Sequence, residues 1–329
     1  MSLGQYKVYV TRVIPQPGLD ILNEHLKHVT VNTKDHILSR EELLRNTKGV
    51  DGLLPLLTEK IDGELMDAAG EQLTIVANHA VGFDNIDVPA ATERGIMVTN
   101  TPGVLTDATA DFAWTLLFAT ARRVVESDKF MRALKYDGWG PMMFLGGDIT
   151  GRTLGIVGAG RIGAAVAMKS RGFNMNVLYS DAFQNETLEK ELGARKVEFE
   201  ELLQESDFVS AHVPLLESTH HLFNDRAFRL MKKTAYFVNT SRGPVVDEAA
   251  LVRALQSGEI AGAGLDVYEN EPEIHPDLFK LDNAVVTPHI ASATIETRTK
   301  MATMAATNLI EGLKGNRPPN LLNPEVLDK

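Results

Sequence analysis

Residues 153–163, Thr-Leu-Gly-Ile-Val-Gly-Ala-Gly-Arg-Ile-Gly, decide the reading of this chain. Thr153–Val157 is near-continuously apolar and reads as a buried strand, and Ile162–Arg171 reads as a helix. Between them Gly158, Gly160 and Gly163 complete a G-x-G-x-x-G pattern in the strand-to-helix setting that a dinucleotide site needs. Three glycines in six residues mean little in a loop; the flanking elements give them weight. The glycines allow a tight turn and close backbone approach, and the helix N-terminus faces a pyrophosphate. An acidic residue belongs about 20 positions further on. Asp181 stands there, after the strand Asn176–Ser180. Its carboxylate would accept ribose hydroxyls and repel a 2′-phosphate, and residues 182–185 bring no cation to hold one. NAD is therefore expected over NADP.

Outward from this motif the alternation of strand and helix continues in both directions. Downstream, VLYSD, DFVSAHVP, AYFVNTS, AGAGLDV and AVVTPH read as buried parallel strands. Upstream, Lys7–Val10, Gly52–Leu57, Thr74–Asn78 and Ile96–Asn100 read as short strands, with helices at Pro17–Leu26 and Glu41–Asn46. Ser39 and Glu42 are spaced as a capping box for the second helix. A long helix from Asp107 to about Arg123 and a shorter one at Ser127–Leu134 separate the two α/β regions. Between them and the glycine motif lies an irregular stretch, Tyr136–Gly147, long enough to suggest a functional or inter-domain loop. A last helix, Thr294–Lys314, follows the completed second sheet and is expected to return to the first domain.

A chain of 329 residues exceeds one ordinary core and implies two domains. The absence of cysteine excludes disulfides, thiolate nucleophiles and Cys-ligated zinc, and suits a cytoplasmic protein. The opening MSLGQYKVYV has no signal-peptide architecture, and no run of 18 apolar residues suggests a membrane span. A net charge of −11 argues against a broad nucleic-acid surface, yet a single arginine or helix N-terminus can still hold a small anion.

Three polar residues sit at strand ends beyond the glycine motif. Arg242 follows AYFVNTS, Glu271 follows GLDVYEN and His289 follows AVVTP. Ligands bind at the C-terminal ends of strands in open α/β sheets. Reduction of a 2-oxo acid needs a cation for the carboxylate, a proton donor for the carbonyl oxygen, and a partner for that donor. Arginine, histidine and glutamate fit these roles in that order. Singly, Arg242 reads equally as a solvated turn residue, Glu271 as a surface acid and His289 as a structural histidine. Their recurrence at successive strand ends after a nucleotide motif favours a site. The remaining histidines rank lower: His25, His28, His36, His275 and His220–His221 read as surface. His79 and His212 follow strands, where either a cleft-lining or a structural role is open. No cluster has metal-ligand spacing, so no metal is expected.

At these residues the sequence resembles the D-isomer-specific 2-hydroxyacid dehydrogenases over essentially its whole length. GAGRIG, FVNTSRGPVV, GAGLDVYENEP and PHIASAT match that family's blocks. The stretches Trp139–Gly163 and Leu278–Thr294 carry a closer likeness to its glyoxylate/hydroxypyruvate reductases. The resemblance implies two Rossmann-like or flavodoxin-like parallel-sheet domains with a cleft between them. Residues 1–101 and 290–329 would form the substrate-binding domain, and 102–289 the NAD-binding domain. Arg242 would bind the substrate carboxylate, His289 would be the acid/base and Glu271 its partner. The amides of Val81 and Gly82 would share the carboxylate, and Leu56 would border the substrate. Thr109, Arg161, Ile162, Asp181, Pro214, Thr219, Thr240, Arg242, Asp266 and His289 would line the cofactor site with the three glycines. A homodimer built through the nucleotide domains and closure about a hinge are implied as well. Several glyoxylate reductases carry an arginine near the position of Asp181–Ala182 and use NADPH; this chain has an acid there. The expected activity is NADH-dependent reduction of glyoxylate or hydroxypyruvate. The alternatives are 2-ketogluconate reduction and a non-catalytic NAD-sensing protein.

Overall fold

A computed structural model describes residues 3–34 and 36–328. The chain divides into two compact units, residues 1–105 with 293–329, and residues 106–292.

The first unit runs β1 (Lys7–Val10), α1 (Gln16–His25), β2 (His28–Val31), α2 (Arg40–Thr47), β3 (Gly52–Leu54) and α3 (Gly63–Ala69). It continues through β4 (Ile75–Ala77), α4 (Val88–Glu93) and β5 (Met97–Thr99). All pairings are parallel, in the order β2-β1-β3-β4-β5. That is the flavodoxin-like order, with its reversal between β1 and β3. The expected capping box is present: Glu42 N–H donates to Ser39 Oγ, and Ser39 N–H to Glu42.

The second unit opens with α5 (Thr106–Ala121) and α6 (Val124–Arg132). Next come β6 (Thr153–Val157), α7 (Arg161–Lys169), β7 (Asn176–Ser180), α8 (Glu186–Leu192) and β8 (Arg195–Lys196). Then follow α9 (Phe199–Glu205), β9 (Phe208–Ala211), α10 (Asp225–Leu230), β10 (Tyr236–Asn239) and α11 (Glu248–Ser257). β11 (Gly262–Leu265) and β12 (Ala284–Val286) complete a parallel sheet in the order β12-β11-β10-β9-β6-β7-β8. The strand order reverses between β6 and β9, so the crevice of a doubly wound sheet opens where the glycine motif leaves β6. β6, β9, β10 and β11 are buried almost throughout, which is why they read as apolar runs.

The final helix, α12 (Ile295–Leu313), belongs to the first unit, as its place in the sequence suggested. Thr294 caps it through Thr297 N–H. Its face of Ala302, Ala305, Ala306, Leu309 and Ile310 packs with Ile75, Ala77 and Met97 of the sheet. α1 crosses it closely, and a Cβ added at Gly18 would meet Ala302 at 2.8 Å. Burial of these side chains is the main force holding the C-terminal segment to a sheet built from the first hundred residues. Leu309 is fully buried. Leu309→Ala should lower unfolding stability by about 2–5 kcal/mol, read from urea or thermal denaturation.

Candidate active site

The glycine turn is shaped by what lies against it. Gly158 has φ +92°, and a Cβ there would meet the His212 backbone at 2.8 Å, just beyond β9. A Cβ at Gly163 would fall 2.0 Å from the Gly158 carbonyl oxygen. Gly160, in contrast, faces open space. The first turn of α7, with Arg161 exposed and Ile162 half-buried, presents amides that no helical carbonyl can accept. The turn thus offers backbone donors, the positive end of a helix and room for an anion.

Asp181 follows β7 and is half-buried. One carboxylate oxygen accepts from Ala159 N–H at 2.7 Å, the other from Phe183 N–H at 2.9 Å. The acid therefore bridges the glycine turn to the loop after β7 and keeps lone pairs for a ribose diol. One feature was not visible in residues 182–185: Lys196 Nζ donates to the Ala182 carbonyl at 3.3 Å. It arrives from the neighbouring strand, since β8 pairs with β7 and sets Lys196 beside Tyr179. Only knowledge of that pairing would have found it.

The other residues expected at a cofactor lie on three further elements. Thr109 is buried on α5. Pro214 and Thr219 share one turn, where Thr219 Oγ1 donates to the Pro214 carbonyl and accepts from Leu216 N–H. Thr240, directly after β10, is buried, and its hydroxyl has no partner among the described residues. An unsatisfied buried hydroxyl, an open Gly160 and a helix N-terminus together fit a dinucleotide.

His289 and Glu271 meet. His289 Nδ1 is 3.0 Å from Glu271 Oε2, with both side chains about 70% buried (27% and 30% exposed). The other Glu271 oxygen accepts from Tyr268 N–H at 3.0 Å. Burial alone would raise the Glu271 pKa. The hydrogen bond and charge of His289, the Tyr268 amide and the Arg242 guanidinium outweigh it and hold the group below the usual glutamate range. Arg242 sits in the turn after β10, where its Nη1 donates to the Ser241 carbonyl. Its own carbonyl accepts from Asn239 Nδ2, which fixes the backbone that carries the guanidinium.

His289 occupies a left-handed conformation, φ +54°, uncommon for a residue with a Cβ. Asp266 explains how it is held. This fully buried carboxylate accepts from Thr287 Oγ1, Ile290 N–H and Ala291 N–H at 2.7–2.8 Å, clasping the turn on both sides of the histidine. Burial pushes the Asp266 pKa up, against those donors and the charge of His289. Tyr268 Oη adds a bond to the Thr287 carbonyl. Asp266, which the resemblance puts at the cofactor, thus also braces the histidine turn.

The other histidines divide clearly. Burial lowers His212 to a pKa of about 3, and its Nε2 bonds to Ser210 Oγ at 2.8 Å. Burial, helped by the nearby Arg298, lowers His79 to about 4. Both are neutral at physiological pH and poorly suited to carry a proton. His221, expected at the surface, is instead half-buried and bonded through Nε2 to Glu269 at 2.7 Å. Among the described residues no group of three or more His, Asp or Glu is arranged to hold a metal, and no helix is long and apolar enough to cross a membrane.

In the first unit, Leu56 follows β3, and Val81 and Gly82 lie in the loop after β4; all three are half-buried. The Val81 and Gly82 carbonyls accept from Asn100 Nδ2 and Asn78 Nδ2. Each asparagine directly follows a short buried strand, Ile75–Ala77 or Met97–Thr99.

A parallel sheet with a dinucleotide turn at its switch point, and a bonded His–Glu pair beside an arginine at neighbouring strand ends, defines a nucleotide-dependent oxidoreductase. Residues 114–291 match the family model for the D-isomer specific 2-hydroxyacid dehydrogenase NAD binding domain. The chain is 55% identical over 324 residues to a glyoxylate reductase of Korarchaeum cryptofilum, covering 98% of this chain and 97% of that one. A crystal structure from Thermus thermophilus has TM-score 0.89 and 45% identity, covering 96% of this chain and 99% of its own. An NADPH-dependent glyoxylate/hydroxypyruvate reductase from Sinorhizobium meliloti gives TM-score 0.83 and 33% identity, with coverages of 98% and 99%. The chain belongs to the D-isomer specific 2-hydroxyacid dehydrogenase family, whose chemistry joins a nicotinamide cofactor to small 2-hydroxy and 2-oxo acids.

The crowding at Gly163 makes a direct test of the nucleotide turn. Gly163→Ala should weaken NADH binding by roughly tenfold or more, because its methyl group must displace the Gly158 carbonyl. Fluorescence titration with NADH measures it.

Proposed function

We propose that this protein reduces glyoxylate, and hydroxypyruvate beside it, with NADH as the preferred reductant. The observation that carries the proposal is the His289–Glu271 bond at 3.0 Å, in a turn clasped by Asp266. The family membership and the relatives named glyoxylate reductase support the substrate. A bound reduced nicotinamide supplies hydride to the 2-carbon of the 2-oxo acid.

The side chains do the rest. His289 delivers a proton from Nε2 to the developing alkoxide, since Nδ1 is engaged by Glu271. The lowered pKa of Glu271 favours its carboxylate form, which holds the ring's orientation through Nδ1. Arg242 binds the substrate carboxylate and polarises the carbonyl. The Val81 and Gly82 amides are assigned to the same carboxylate, and Leu56 to the substrate's border. The three glycines, Arg161, Ile162, Asp181, Pro214, Thr219, Thr240, Thr109 and Asp266 are assigned to the nucleotide. The preference for NADH rests on Asp181, which would repel a 2′-phosphate; Lys196 is the cation that opposes it.

A steady-state panel of glyoxylate, hydroxypyruvate and 2-ketogluconate against NADH and NADPH tests the assignment. Fastest turnover of 2-ketogluconate would move the substrate, and tight NADH binding without turnover of any 2-oxo acid would make the protein a sensor. His289→Ala should lose roughly 10²–10⁴ in turnover with NADH affinity nearly unchanged. Arg242→Gln should chiefly raise the KM for the acid. Near-normal rates in the histidine variant would remove it from the chemistry.

We also propose a homodimer assembled through the second unit. Leu134, Trp139 and Met142 are 91%, 82% and 77% exposed in and beside the irregular stretch after α6. Such a concentration of apolar surface suits contact with a second copy. Trp139→Glu with Met142→Glu should yield a monomer by light scattering; an unchanged dimer would place the interface elsewhere.

A further inference from the structure

The loop after β4 carries a set of hydrogen bonds that serves no strand or helix. Three successive peptides, from Ala80 to Phe83, are gripped by their carbonyls. Ala80 O accepts from Thr101 N–H at 2.9 Å, Val81 O from Asn100 Nδ2 at 2.7 Å and Gly82 O from Asn78 Nδ2 at 2.9 Å. In a trans peptide the carbonyl and the following N–H point in opposite directions. Each held carbonyl therefore turns the amide of its own peptide, Val81 N–H and Gly82 N–H, away from the group that grips it. Neither amide donates to any described residue. Two adjacent, unspent amides held in a fixed loop are donors available to an anion.

The grip is itself anchored. Asn78 is fully buried and Asn100 only 7% exposed. The Asn100 carbonyl accepts from Asn308 Nδ2 on α12, and Asn78 Nδ2 also reaches Asn85 Oδ1. Asn85 Nδ2 spans the Leu56 and Glu59 carbonyls. Glu59, buried, accepts from Leu56 N–H, Thr11 Oγ1 and Thr58 Oγ1 at 2.7–2.8 Å. Three other loops and one helix are thus tied to the loop that bears the two amides.

We propose that Asn100 is a positioning residue for carboxylate recognition: it fixes the Val81–Gly82 peptide so that the Gly82 N–H meets the substrate's carboxylate. Asn78 holds the next peptide and has the same purpose. The inference rests on the assignment of these amides to the carboxylate and adds what aims them. The asparagines touch no reacting atom. Their effect is on binding of the acid, with hydride and proton transfer left to the residues already described.

The test uses the whole enzyme with glyoxylate as substrate and oxamate as an unreactive carboxylate. Asn100→Asp keeps the shape and replaces the donor by an acceptor facing the Val81 carbonyl. It should raise the KM for glyoxylate and the inhibition constant of oxamate together, roughly tenfold, with kcat within about threefold of wild type and NADH affinity retained. A purely structural asparagine would lower melting temperature and kcat and leave the oxamate constant where it was. That pattern, or an unchanged KM in a folded variant, overturns the proposal. Should Asn100→Asp fail to fold, Asn78→Asp is read in the same way, and an unchanged oxamate constant there overturns it equally. The underlying assignment fails differently, through a wild-type enzyme that neither turns over glyoxylate nor binds oxamate.

Discussion

Parallel pairing in both sheets forces every strand to leave on the same edge as its neighbours. Each crossover must return along a face before the next strand begins, so the loops at one edge come from well-separated points in the chain. Residues with no sequence proximity become neighbours at that rim. Arg242, Glu271 and His289 belong to three such exits, after β10, β11 and β12. The first unit follows the same rule with Leu56, Val81 and the asparagines. Replacing any one strand by an antiparallel one would send its loop to the opposite edge.

Within each unit the strand ends are organised by acceptors more than by cations. Asp266, Asp181 and Glu59 each spend carboxylate oxygens on backbone amides, and each fixes a loop at a strand end. A buried carboxylate is costly unless several donors meet it, and amide donors can meet it without side-chain entropy. Asp266 illustrates the return. It maintains a left-handed residue at 289, a conformation that a residue with a Cβ rarely adopts, and so directs an imidazole that the turn alone would leave free to wander.

Much of this was legible in the chain, and the exceptions have physical reasons. Buried central strands announce themselves by apolar runs, and the capping box at Ser39–Glu42 and the threonine before α12 mark helix starts by local chemistry. β2 escaped because His28–Val31 is an edge strand whose residues alternate between exposed and half-buried. β8 is only two residues long and exposed. The glycine motif, its acid and the three strand-end residues could be read because each has a distinctive residue at a distinctive place. Asn100 and Lys196 could not: their partners, Val81 and Ala182, lie in loops after other strands, and which strands are adjacent is a property of the sheet order. Asn78 reaches only as far as its own loop, whose fold back onto the strand end has no local signature. His221 looked like surface for the same reason, since Glu269 lies 48 residues away.

Asp181 has two employments, and that joins properties usually discussed apart. Its oxygens are assigned to the ribose of a nucleotide, and one of them also secures the Ala159 amide inside the glycine turn. Ala159 is buried, so an amide stripped of this acceptor costs about 1–3 kcal/mol. Redesign toward a phosphorylated cofactor by a basic residue at 181 therefore loosens the pyrophosphate cradle as it adds the desired charge. A change of coenzyme in this scaffold is a two-site problem, and the second site is the peptide between the first two glycines.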